Sequence, residues 1–168
     1  MIQFNFPTVL LFGENSVSKL PKEIKKKNLK SLLLVTDPGL VKIGLADDVR
    51  KKLTSAKLEI KIFDTVHPNP LEEDVTLGAV AYQKGDYDGI IALGGGSAMD
   101  VAKTIRFMAV HAPPLSQYDD AVGGDAKIVN PMPPLFAIPT TAGTGSEVGR
   151  SSVITIKQTG QKTIFFHP

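Results

Sequence analysis

The run from Ile90 to Lys103, IIALGGGSAMDVAK, constrains this chain more than any other segment. Its apolar residues lead without a polar break into Gly94-Gly95-Gly96, after which Ala98, Val101, Ala102, Ile105 and Ala109 keep helical spacing. A short apolar run bounded by glycine reads as a buried strand, and the spacing beyond it as a one-sided helix. Glycines let a phosphate approach the backbone, where the free amides and positive dipole of a helix start attract it. Ser97 is placed to cap that helix. The literal dinucleotide fingerprint needs glycine where Met99 stands, and the P-loop needs Gly-Lys-Ser or Gly-Lys-Thr, so neither motif is present. Alone, the turn also reads as a tight strand-to-helix connection without a ligand.

The rest of the chain repeats this alternation. Val9 to Phe12, Leu32 to Val35, Leu58 to Phe63, Gly89 to Leu93 and Leu135 to Ile138 read as buried strands, and Val17, Leu20 and Ile24 as a helix face. Short buried strands alternating with helices predict an α/β, doubly wound, mostly parallel, Rossmann-like sheet. Residues 112 to 134, rich in Pro and Gly, read as a long surface excursion. Val153 to Ile156 and Thr163 to Phe166, around Gln158-Thr159-Gly160-Gln161, predict a C-terminal β-hairpin. The 168 residues amount to one domain, 1–168, since a domain averages roughly 150 residues.

In such sheets ligands bind at the carboxyl ends of strands. Thr140-Thr141-Ala142-Gly143-Thr144-Gly145-Ser146-Glu147 follows one strand and offers hydroxyls among small residues, a lining suited to ribose and amide groups, though a solvated loop would look the same. Asp37, after an earlier strand, could accept from an adenosine ribose diol or could simply cap a helix. Other chemistries are narrowed by composition. A net charge of +2 does not favour nucleic acid or an anionic membrane, and Lys25 to Lys27 sit where a helix is expected to end. The absence of cysteine excludes disulfides, thiolate metal sites and a cysteine nucleophile. His67, His111 and His167 share no helical pair spacing and read as structural, so no metal ligand and no catalytic residue is assigned. No basic-then-apolar leader opens the chain, and no apolar run nears the roughly 20 residues of a membrane span. A cytoplasmic location is expected.

Together these segments resemble the iron-dependent alcohol dehydrogenase family, which includes lactaldehyde, butanol and propanediol dehydrogenases. The likeness rests on Phe6-Pro7-Thr8, Phe12-Gly13, Thr36-Asp37, Pro68-Asn69-Pro70, Gly94 to Ser97 with Asp100 and Lys103, and Pro139 to Val148. It implies that Gly94, Gly95, Gly96 and Ser97 cradle the pyrophosphate of NAD, and that Asp37 holds the adenosine ribose and disfavours a 2′-phosphate. It further implies that Asn69, Asp100, Thr140, Thr141, Thr144 and Lys162 line the remainder, with Lys162 nearest the nicotinamide ribose. Gly149 departs from the family's usual threonine, which puts one cofactor hydrogen bond in question. The resemblance implies hydride transfer between NAD and a small primary alcohol or diol. The activating divalent metal, usually iron, would be held by an aspartate and three histidines in a helical second domain expected beyond this chain, which alone would be inactive. It also implies a homodimer, paired through the strand Ile2 to Phe6. The competing readings are a glycerol, sugar-phosphate or dehydroquinate-type relative with the same cofactor fold, and a free-standing nucleotide-binding module.

Overall fold

A computed structural model describes residues 8–166. The expected dimer strand Ile2 to Phe6 and His167 lie outside the described residues.

Four parallel strands form the central sheet in the order β2-β1-β3-β4: β1 Ser31–Val35, β2 Glu59–Phe63, β3 Gly89–Gly94 and β4 Leu135–Pro139. The helix α1 Leu20–Lys26 precedes β1, and α2 Pro38–Lys42, α3 Leu45–Thr54, α4 Glu72–Lys84 and α5 Gly96–Met108 run between the strands. Helical layers on both faces explain why the central strands are apolar without alternation. On β1, Leu32 and Leu34 pack with Ile24, Val49 and Leu53 from α1 and α3. Leu33 and Val35 face the other way, with Val75 and Ala79 of α4 and Val101 and Ile105 of α5. The edge strand β2 instead exposes Glu59 and Lys61, charges that discourage pairing with a further chain. The doubly wound expectation therefore holds.

The hairpin is also present. Strands β5 Ser151–Thr155 and β6 Lys162–Phe166 pair antiparallel as a separate sheet that packs on α5. Residues 112 to 134 make the expected excursion, pinned to the core by buried Leu115, Tyr118 and Ile128. His111 is structural as expected: Nδ1 donates to the Phe107 carbonyl at 2.7 Å, and Nε2 accepts from the backbone N–H groups of Val129 and Asn130, each at 3.0 Å. Lys25 and Lys26 occupy the last turn of α1, where cations complement the dipole.

Two expectations fail. Val9 to Phe12 is not a strand and is not buried: the exposures are 84, 57, 51 and 103%. Apolar content alone does not bury a run, and among the described residues no strand pairs with it. Ser97 does not cap α5 either. The helix starts at Gly96 with Gly95 as its N-cap, and Ser97 lies within the first turn. Gly94 has φ 150°, a conformation open to glycine, so the chain turns earlier than the serine suggested.

Candidate functional site

The strand order places β1 and β3 side by side while their outgoing connections leave in opposite directions, β1 toward β2 and β3 toward β4. At such a switch point the loops diverge and leave a crevice beyond the strand ends. Asp37 follows β1 and the three glycines follow β3, so both sequence signals meet there.

The glycine turn runs close against its neighbours, and at Gly94 it leaves no room for a side chain. A Cβ on Gly94 would lie 2.7 Å from the Ala98 Cβ, and one on Gly95 would lie 3.2 Å from Thr141 Oγ1. Thr144 stands 3.5 Å from the corresponding point on Gly96. The Thr140 N–H donates to the Gly94 carbonyl at 2.9 Å, so the threonine loop leaves β4 alongside the turn. Thr140, Thr141 and Thr144 remain exposed. This glycine backbone at the start of a 13-residue helix suits an anion such as a pyrophosphate: the first amides of a helix have no partner within it, its dipole is positive there, and Gly94 to Gly96 carry no Cβ.

Asp37 proves to be a helix cap. Its Oδ1 accepts from the Leu40 N–H at 3.1 Å, while Oδ2 lies 3.6 Å from where a Gly94 Cβ would stand. The carboxylate therefore faces the glycine turn while holding α2. Thr36, just before it, is fully buried, and its hydroxyl has no partner among the described residues.

Asn69 and Lys162, 93 positions apart, are brought together: Lys162 Nζ donates to Asn69 Oδ1 at 3.1 Å, and both are exposed. Asp100 is different. It is 8% exposed, and protein groups already surround its carboxylate: Ser146 Oγ at 3.0 Å and Lys103 Nζ at 3.1 Å on Oδ1, and the Val153 N–H at 3.1 Å on Oδ2. These partners tie α5 to both the threonine loop and the hairpin.

Lys103 belongs with this cluster and was not singled out as a site residue. Only 4% exposed, it donates to the carbonyls of Ser151 and Gly149, the latter at 3.4 Å. Thr104 completes the row, donating to the Asp100 carbonyl at 2.7 Å and sharing a hydrogen bond with Ser152 Oγ at 2.8 Å. The available signal was spacing: Asp, Lys and Thr at i, i+3 and i+4 share one side of a helix.

The sequence matches the family model of iron-containing alcohol dehydrogenases over residues 7–168. The chain belongs to that family. It is 42% identical over 152 residues to choline dehydrogenase of Bacillus subtilis, covering 90% of this chain and 38% of the relative. A solved 1,3-propanediol oxidoreductase superposes with TM-score 0.90 at 38% identity, over 99% of this chain and 43% of that one. Sulfoacetaldehyde reductase from Bifidobacterium kashiwanohense, solved in complex with NAD+, superposes with TM-score 0.84 at 27% identity, over 99% and 43% of the two chains. This member of the iron-containing alcohol dehydrogenases thus spans about two fifths of the length of these relatives.

Iron, which the family description names, does not fit the described residues: no three His, Asp or Glu side chains converge among them as a metal would require. Nor is any helix among them long and apolar enough to cross a membrane.

Proposed function

We propose that this chain supplies the NAD-binding part of an oxidoreductase that passes hydride between NAD and a small primary alcohol or diol. The observation that carries the reading is the side-chain-free turn at the start of α5, set at the β1/β3 switch point with Asp37 across it. The amides of Gly95, Gly96 and Ser97 receive the pyrophosphate. Asp37 accepts from the adenosine ribose diol and repels a 2′-phosphate. Thr140, Thr141 and Thr144 line the path toward the nicotinamide, and the Lys162–Asn69 pair meets its ribose. Asp100 acts through what it holds: it anchors the threonine loop and the hairpin that carries Lys162. Bound NAD supplies the hydride acceptor, and these residues orient it. A divalent metal, placed by the family in a further domain, belongs to the whole enzyme in this reading. So do the alcohol or aldehyde substrate, a homodimer and a cytoplasmic setting. The exposed apolar run Val9 to Phe12 supports the homodimer, because contiguous apolar surface favours burial against a partner.

Calorimetric titration of NAD and NADP tests the proposal. NAD is expected to bind at least tenfold more tightly, about 1.4 kcal/mol, and Asp37→Gly to narrow that ratio. Equal affinities in the unaltered chain would remove the role given to Asp37, and no binding of either would remove the cofactor reading.

A further inference from the structure

The loop that carries Asn69 is closed by a single carboxylate. Asp74, at the third position of α4, is 1% exposed. Its Oδ2 accepts from the backbone N–H groups of His67 at 3.2 Å and Leu71 at 3.0 Å, one at each end of the segment 67–71. Its Oδ1 meets His67 Nδ1 at 2.6 Å. Between these anchors, Pro68 and Pro70 restrict the backbone on either side of Asn69, which sits at φ 58°. The loop is also tied to the hairpin, since the Thr155 N–H donates to the Pro70 carbonyl at 2.8 Å and the Lys157 N–H to Glu72 at 3.0 Å.

Asparagine tolerates the left-handed region better than other non-glycine residues, and a residue keeps that conformation where its surroundings hold it there. Here the fixing group lies outside the loop. From this geometry we infer that Asp74, with His67, is a positioning residue of the cofactor site: it holds the 67–71 loop so that Asn69 and Lys162 present one joint polar surface toward the nicotinamide end of the dinucleotide. The inference rests on the NAD-binding reading above. It adds that this half of the site is set by a buried acid that need not touch the cofactor.

Calorimetry with two probes tests it. ADP reports on the glycine turn and Asp37 alone, whereas NAD also reaches Asn69 and Lys162. Asp74→Ala is expected to weaken NAD at least fivefold and leave ADP within twofold. Asp74→Asn, which keeps the shape and one acceptor, should recover part of the loss, and His67→Gln should show a smaller loss of the same kind. Adding Asn69→Ala to Asp74→Ala should bring little more, because residues acting as one unit are not additive. An unchanged NAD affinity, an equal loss of ADP and NAD, or full additivity with Asn69→Ala would overturn the inference. If Asp74→Ala does not fold, Asp74→Asn and His67→Gln decide by the same two-probe comparison. An unaltered chain that binds ADP but not NAD would overturn the inference, and one that binds neither would overturn the NAD reading beneath it.

Discussion

Replacing Asp100 by alanine should be among the most damaging single changes available on α5. The substitution removes the carboxylate facing Lys103 and strands the Ser146 hydroxyl and the Val153 N–H. Breaking a buried ion pair by deleting one partner costs about 3–5 kcal/mol, because the surviving charge stays in a poorly solvating site. Lys103 keeps two carbonyl acceptors, Ser151 and Gly149, which favours the lower end, about 3 kcal/mol. At roughly 2–4 °C per kcal/mol for a chain of this size, the midpoint should fall by about 6–12 °C. Urea denaturation and thermal melting of Asp100→Ala measure both. The double variant Asp100→Ala/Lys103→Met carries no stranded ammonium and should be more stable than Asp100→Ala, by about 1–2 kcal/mol. A single-variant loss below about 1 kcal/mol, or a double variant less stable than the single, would refute the account of this cluster.

Gly94→Ala should cost at least about 2 kcal/mol by chemical denaturation, since it forces a Cβ to within 2.7 Å of Ala98 at φ 150°; an unaltered midpoint would contradict that geometry. The hydrogen bond and charge of Asp74, with a smaller contribution from Glu73, raise the His67 pKa above its ordinary 6.5. The protonated pair therefore adds stability that is complete below about pH 6.5 and is lost as pH rises through the higher folded value. NMR titration of the His67 ring should show the raised midpoint, and His67→Gln should flatten that part of the stability profile.

What the sequence discloses depends on whether a signal is local. The run from Ile90 through Gly96 names both its strand and its turn, because continuous apolar residues followed by glycine have few other uses. Asp37 was legible as a candidate, and its two readings are compatible in the structure: one oxygen caps α2 while the other faces the glycine turn. Val9 to Phe12 misled because burial depends on a neighbour, which no run of residues announces. The Ser97 cap was misplaced because serine is a frequent cap, whereas the deciding fact was the backbone angle of Gly94. Asp74 escaped notice for a related reason. It looks like an ordinary acid in the first turn of a helix, and only the folded loop shows that its carboxylate reaches back to His67.

The double duty of Asp37 restricts how cofactor choice could drift. On the proposed reading, relaxing the exclusion of NADP means losing the negative charge at this position, yet α2 also depends on this side chain to accept from the Leu40 N–H in its first turn. Asn and Ser keep a cap and drop the charge, and Gly costs only a few tenths of a kcal/mol, whereas Ala or Leu would cost about 1 kcal/mol in addition to any gain in binding. Position 39 is drawn in as well, since a Cβ there would stand 2.9 Å from the capping oxygen. The accessible routes to a different dinucleotide therefore pass through a small set of residues at position 37, with glycine retained at position 39 wherever a capping side chain stays.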